Sequence, residues 1–107
     1  MPTKRRKQSP LRGDHAAIRS AVNKVTKQYI GPGDARFIGW RVYDGVLHAV
    51  IEESAWAYIL NGYVNTPSTR KAESALISTL HEIGYNVHMA GAVMLFFVPL
   101  AWEVVTV

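Results

Sequence analysis

The chain has 107 residues, 49% of them apolar and none of them cysteine, and twelve Lys and Arg against eight Asp and Glu give it a net charge of +4. That length is the usual size of one domain and that apolar content fills a core, so a second core and a wholly disordered chain are both excluded. Without cysteine there is no disulfide framework and no thiolate metal site, which fits a reducing compartment and sets a cytoplasmic location as the expectation.

The charge is concentrated at the start. Residues 1 to 12 hold Lys4, Arg5, Arg6, Lys7 and Arg12 with no acid, and residues 1 to 41 hold ten cations against two anions. Residues 42 to 107 are therefore acidic, with two cations and six anions, and the molecule is electrically two-ended. With Pro2, Pro10 and Gly13, residues 1 to 13 read as a disordered basic tail, and 14 to 107 as a single domain. No apolar run follows the basic cluster as a secretory signal requires. The longest uncharged apolar stretch, Met89 to Trp102, is 14 residues and is interrupted by Pro99, too short for a bilayer span, so no membrane partner is expected.

Asp14 is placed to cap a helix whose apolar residues Ile18, Ala21, Val22, Val25 and Tyr29 recur at spacings of three and four. Arg19, Asn23, Lys24 and Lys27 occupy the opposite side, and Gly31-Pro32 stops the helix near Ile30. From Arg36 the period becomes two, and Asp44-Gly45 predicts a type I′ hairpin. Its register pairs Tyr43 with Val46, Val42 with Leu47, Arg41 with His48, Trp40 with Ala49, Gly39 with Val50, Ile38 with Ile51, Phe37 with Glu52 and Arg36 with Glu53. One face is then apolar and the other mixed.

Residues 54 to 63 suit either a short helix, capped by Ser54 and closed by Asn61-Gly62, or a strand; the helix is preferred. A second long helix starts at Thr66-Pro67, carries Ala72, Ala75, Leu76, Leu80 and Ile83 on one stripe, and ends at Gly84. Tyr85, Val87 and Met89 then alternate with Asn86 and His88, Ala90-Gly91 turns the chain, and the uniformly apolar Val93 to Val98 reads as a central strand. Beyond Pro99, residues 100 to 107 suit a further edge strand.

The expected fold is α+β in two layers: an antiparallel sheet of four to five strands with two long helices on one face, in αββ-α-αββ order. Ile30-Gly31 and Ile83-Gly84 each end a helix that leads into a hairpin, which hints at a repeated αββ unit. Were residues 55 to 60 a strand, the order helix, three strands, helix over residues 14 to 83 would resemble double-stranded RNA-binding domains. Ser68, Arg70 and Lys71 match the basic start of their last helix, whereas their longer lysine signature is lacking.

For function, the cations are the main signal. Lys4, Arg5, Arg6, Lys7, Arg12, Arg19, Lys24 and Lys27 form one positive field suited to phosphates, and Arg70-Lys71 adds a second spot in a helix first turn; each is also what a solvated surface looks like. Four histidines, His15, His48, His81 and His88, would need to converge with a carboxylate to hold a metal, and His48 and His88 meet only if their strands are neighbours. Glu52-Glu53 lie at a strand end, Gly31-Pro32-Gly33 is a turn, and no catalytic or nucleotide-binding motif occurs, so catalytic residues, metal and cofactor are all expected to be absent. Among the aromatics, Trp40 faces the core, while Tyr58 and Tyr63 are the candidates for contact. These residues read as a small non-enzymatic binding protein, with nucleic acid or another acidic partner at its basic end. The alternative is a protein-interaction or assembly module that uses the hairpins and forms homo-oligomers through the C-terminal strand. Its style suits an accessory protein of a virus or mobile element.

Overall fold

In the computed structural model, which describes residues 12–103, the first helix, α1, spans Arg12–Tyr29. It starts two residues ahead of Asp14, so the expected cap stands instead in the first turn, where a carboxylate still faces the positive end of the helix dipole. Asp14 accepts a hydrogen bond from the Tyr85 hydroxyl at 2.8 Å. Ile18, Ala21, Val22 and Val25 are buried as their spacing predicts, but Tyr29 is exposed. The backbone N–H groups of Ile30 and Gly31 both donate to the Thr26 carbonyl, 2.9 Å each, and Pro32 ends the helix.

A 3-10 turn, Asp34–Phe37, replaces the expected start of the first strand. Strands β1, Gly39–Tyr43, and β2, Val46–Val50, pair antiparallel in the predicted register from Tyr43↔Val46 to Gly39↔Val50. Asp44 at φ 51° and Gly45 at φ 78° are the two left-handed residues that a type I′ turn requires. The predicted pairs beyond Gly39 do not form, including Arg36 with Glu53. The reason is long-range: the Asp34 carboxylate accepts from Ser54 Oγ at 2.8 Å and from the Ala55 N–H at 3.2 Å, and Ile51 N–H donates to the Val93 carbonyl at 2.8 Å. Ile38 and Ile51 remain buried without being paired.

Helix α2, Ala55–Leu60, is capped by Ser54, whose hydroxyl accepts from Trp56 N–H at 3.1 Å, and the loop after it turns at Gly62, φ 82°. The condition for the double-stranded RNA-binding resemblance, a strand at 55 to 60, is therefore not met. Helix α3, Pro67–Glu82, opens with a reciprocal box in which Thr66 and Thr69 cap each other's backbone. Ala72, Leu76 and Leu80 are buried, while Ile83 lies past the end and is exposed.

Strands β3, Tyr85–Met89, and β4, Met94–Pro99, form the second hairpin, with Ala90 to Val93 as a longer connection than the expected two-residue turn. The sheet order is β1-β2-β4-β3, so the apolar strand β4 is interior, as its composition demands. Four strands form. The expected fifth does not begin at residue 100, because Leu100–Glu103 is a 3-10 turn whose Leu100 N–H donates to the Gly84 carbonyl at 2.9 Å; residues 104 to 107 lie outside the described residues.

Alternation along β2 and β4 turns Leu47, Ala49, Leu95 and Phe97 towards α1 and α3 in one core, while His48 and Phe96 point to the other face. This is the two-layer α+β fold. Exchange of the two αββ units maps the strand order onto itself, with β2 and β4 as the antiparallel seam. At the centre of the helix layer Trp56 is fully buried. Its Nε1–H donates to Thr26 Oγ1 at 2.9 Å, and the Thr26 hydroxyl donates in turn to the Val22 carbonyl at 2.7 Å. Each buried polar group in this relay is thereby satisfied.

Candidate nucleic-acid interface

The cations of α1 stand where the helical period puts them, away from the stripe that enters the core. Lys24 and Lys27 are exposed and Arg19 is half-buried. Among the described residues the ion pair within 4 Å is His88 with Glu103, and none of their carboxylates lies within that distance of Arg19, Lys24, Lys27, Arg70 or Lys71. Arg70 and Lys71 are exposed in the first turn of α3, with Arg70 Nη1 donating to Asn65 Oδ1 at 3.0 Å. Arg12 opens α1. The tail cations Lys4, Arg5, Arg6 and Lys7 lie outside the described residues.

Tyr29 and Ile30, at the close of α1, line a cleft of about 280 Å³ together with Tyr58, Ile59, Val64 and Thr69, so the last turn of α1 and the first turn of α3 are neighbours. Lys24 and Lys27 stand in the last two turns of α1 and Arg70 and Lys71 at the start of α3, while Arg19 is two turns before Lys27 and Arg12 is at the opposite end of α1. An adjoining hollow of about 300 Å³ shares Ile59, Val64 and Thr69 and is bordered by Arg70 and by one acid, Glu73.

Both connecting-segment tyrosines are open, Tyr58 at 57% and Tyr63 at 78% exposure, and their rings meet edge-on at 6.4 Å. Trp56 is in the core, and Trp40 is half-buried with its ring 6.0 Å from Phe97. Tyr29, assigned by its spacing to the buried stripe, instead joins the open tyrosines. Its place in the last turn, next to the Gly31-Pro32 stop, was the available signal, although Ile30 beside it still packs against the core.

The histidines take a different place. The ladder sets Arg41 opposite His48, His48 opposite Phe96 and Phe96 opposite His88, so one row crosses the outer sheet face. The Phe96 ring lies 5.7 Å from His48 and 5.3 Å from His88, between the two imidazoles. His48 Nδ1 donates to the Val46 carbonyl at 2.9 Å, and His88 pairs with Glu103, which also accepts from Asn86 Nδ2 at 2.7 Å. Hydrogen bonds from Asn86 and His88 hold the Glu103 carboxyl below the usual carboxylate range. The partner of His88 was missed from sequence because it comes from the turn after β4. His48 and His88 stand on neighbours of β4 and not on neighbouring strands, and among the described residues no three His, Asp or Glu side chains converge to hold a metal ion. No helix among the described residues is long and apolar enough to cross a membrane. No protein-family model, curated protein or solved structure matches the chain.

Proposed function

We propose that this is a non-enzymatic nucleic-acid-binding protein that engages phosphates with the outer side of α1, the first turn of α3 and the basic residues that precede them. The observation that carries the reading is that Arg19, Lys24 and Lys27 on α1 and Arg70 and Lys71 at the start of α3 have no carboxylate in ion-pair contact among the described residues. A cation already paired within the protein has little to gain from a phosphate, whereas an unpaired, solvated one gains by releasing counterions from the polyanion. The acids of the chain lie mostly after residue 41, and residues 1 to 11 carry four cations and no acid.

The test is fluorescence anisotropy of a labelled oligonucleotide at about 50 mM and about 200 mM salt. Full-length protein, a form lacking residues 1 to 11 and the double variant Lys24→Glu/Lys27→Glu are compared. Both altered forms bind more weakly, and each lost phosphate contact lowers the salt slope by about one. Equal binding by all three forms overturns the proposal.

A second reading, assembly with copies of itself, is favoured by Val42 and Tyr43, which are 53% and 48% exposed on β1, an edge strand. Light scattering over a concentration series tests it, and a strict monomer excludes it.

A further inference from the structure

We propose that the outer face of the sheet is where two copies of this chain meet, face to face, about a two-fold axis parallel to the strands. The inference carries the assembly reading from the β1 edge to a second, separate surface and does not depend on nucleic acid.

The helices cover one side of the sheet. Leu47, Ala49, Leu95 and Phe97 are buried in one core with α1, α2 and α3, whereas Val50, Met94, Phe96 and Val98, which alternate to the other side, are half-buried. The open face of an antiparallel sheet is ordinarily polar. Here β1 to β4 contain a single Lys, Arg, Asp or Glu, which is Arg41. Phosphates find no cluster of cations there, and an apolar surface of this kind is stabilised by meeting another.

Charge selects a second copy as that other surface. The row across the face runs from Arg41 through His48, Phe96 and His88 to the Glu103 carboxylate, which His88 and Asn86 hold at the β3 side. Its two ends are opposite in charge: Arg41 is exposed with no carboxylate within 4 Å among the described residues, and the Glu103 side chain is 30% exposed. A half-turn about an axis along the β2-β4 seam exchanges β1 with β3 and β2 with β4. It lays Arg41 over Glu103 of the second copy, and Phe96 over the second copy's His48. Each contact then occurs twice, as a two-fold interface requires. A half-turn about an axis across the strands instead sets Arg41 on Arg41 and Glu103 on Glu103, which like charge disfavours. The favoured axis also keeps the strands of the two sheets nearly aligned, a usual crossing of packed sheets. Four strands about 4.8 Å apart, each of five residues at about 3.3 Å, make a face of roughly 19 by 17 Å; this is at the small end of specific interfaces, so the subunits exchange.

The experiment is analytical ultracentrifugation of the full chain from about 1 μM to about 1 mM at low salt, with wild type, Arg41→Glu, Glu103→Arg and an equimolar mixture of the two variants. Wild type dimerises. Each variant alone sets like charges together at both contacts and raises the dissociation constant about tenfold or more. In the mixture one copy has two negative ends and the other two positive ends, so dimers return to within about threefold of wild-type strength. Circular dichroism confirms that each variant is folded. A mixture no stronger than its components, or a Glu103→Arg variant that dimerises as wild type does, overturns the face contact and leaves assembly to the β1 edge, because Glu103 stands at the opposite edge. A wild type that stays monomeric throughout the series overturns both.

Discussion

Replacing Thr26 by Val tests the polar relay in the core. The substitution keeps the side-chain shape but removes the oxygen that accepts from Trp56 Nε1 at 2.9 Å. Both residues are fully buried, so the indole N–H finds no water and remains unpaired, at a cost of about 1–3 kcal/mol. The Val22 carbonyl keeps its backbone helix bond, and a methyl in place of the hydroxyl returns at most about 1 kcal/mol of apolar burial. The net loss is about 1–2 kcal/mol. With a urea dependence of about 1–3 kcal/mol per molar, the unfolding midpoint falls by about 0.5–1 M. Far-UV circular dichroism is the readout, because the comparison includes Trp56→Phe and a tryptophan signal would change with it. In the Trp56→Phe background no indole N–H remains to be left unpaired, so Thr26→Val is close to neutral there, and the double-mutant cycle gives a coupling of about 1–2 kcal/mol. An equal cost in both backgrounds would refute the relay as the source of the effect.

Gly45→Ala places a side chain at φ 78° in the first hairpin turn and destabilises the protein by about 1–2 kcal/mol, read from the same urea curves. Tyr85 gives a dependence on alkaline pH. Burial and then the hydrogen bond to the Asp14 carboxylate push its phenol well above the ordinary value of 10.0. The folded state therefore keeps the proton that the unfolded chain releases, so this contribution to stability is complete below pH 10 and is lost as the pH rises above it. Urea midpoints measured from pH 8 upwards decline more steeply in wild type than in Tyr85→Phe, and parallel curves would show that the phenol is not responsible.

Much of the fold was legible because short-range chemistry settles it. Asp44-Gly45 sets the register of the first hairpin from its tip, and Ser54 and Thr66-Pro67 mark helix starts through bonds to residues two or three positions away. What sequence reading missed depends on residues distant in the chain. Asp34 reaches Ser54 and Ala55 and so converts an expected strand start into a 3-10 turn, and Leu100 bonds Gly84 where an edge strand was expected. The basic surface of α1 follows from the helical period alone. The meeting of Tyr29 and Ile30 with Tyr58 and Thr69 required the mutual placement of α1, α2 and α3, which no local pattern encodes.

The strand order also bears on how the chain finds its fold. Each hairpin closes over neighbouring residues and belongs to the microsecond class of events, whereas the pairing of β2 with β4 joins segments separated by both α2 and α3. That union carries the largest loop-closure entropy among the strand pairings, and the mirrored order of the two αββ halves means neither is complete without it. The meeting of His48, Ala49 and Val50 with Phe96, Leu95 and Met94 is thus the step on which the rate of self-organisation turns.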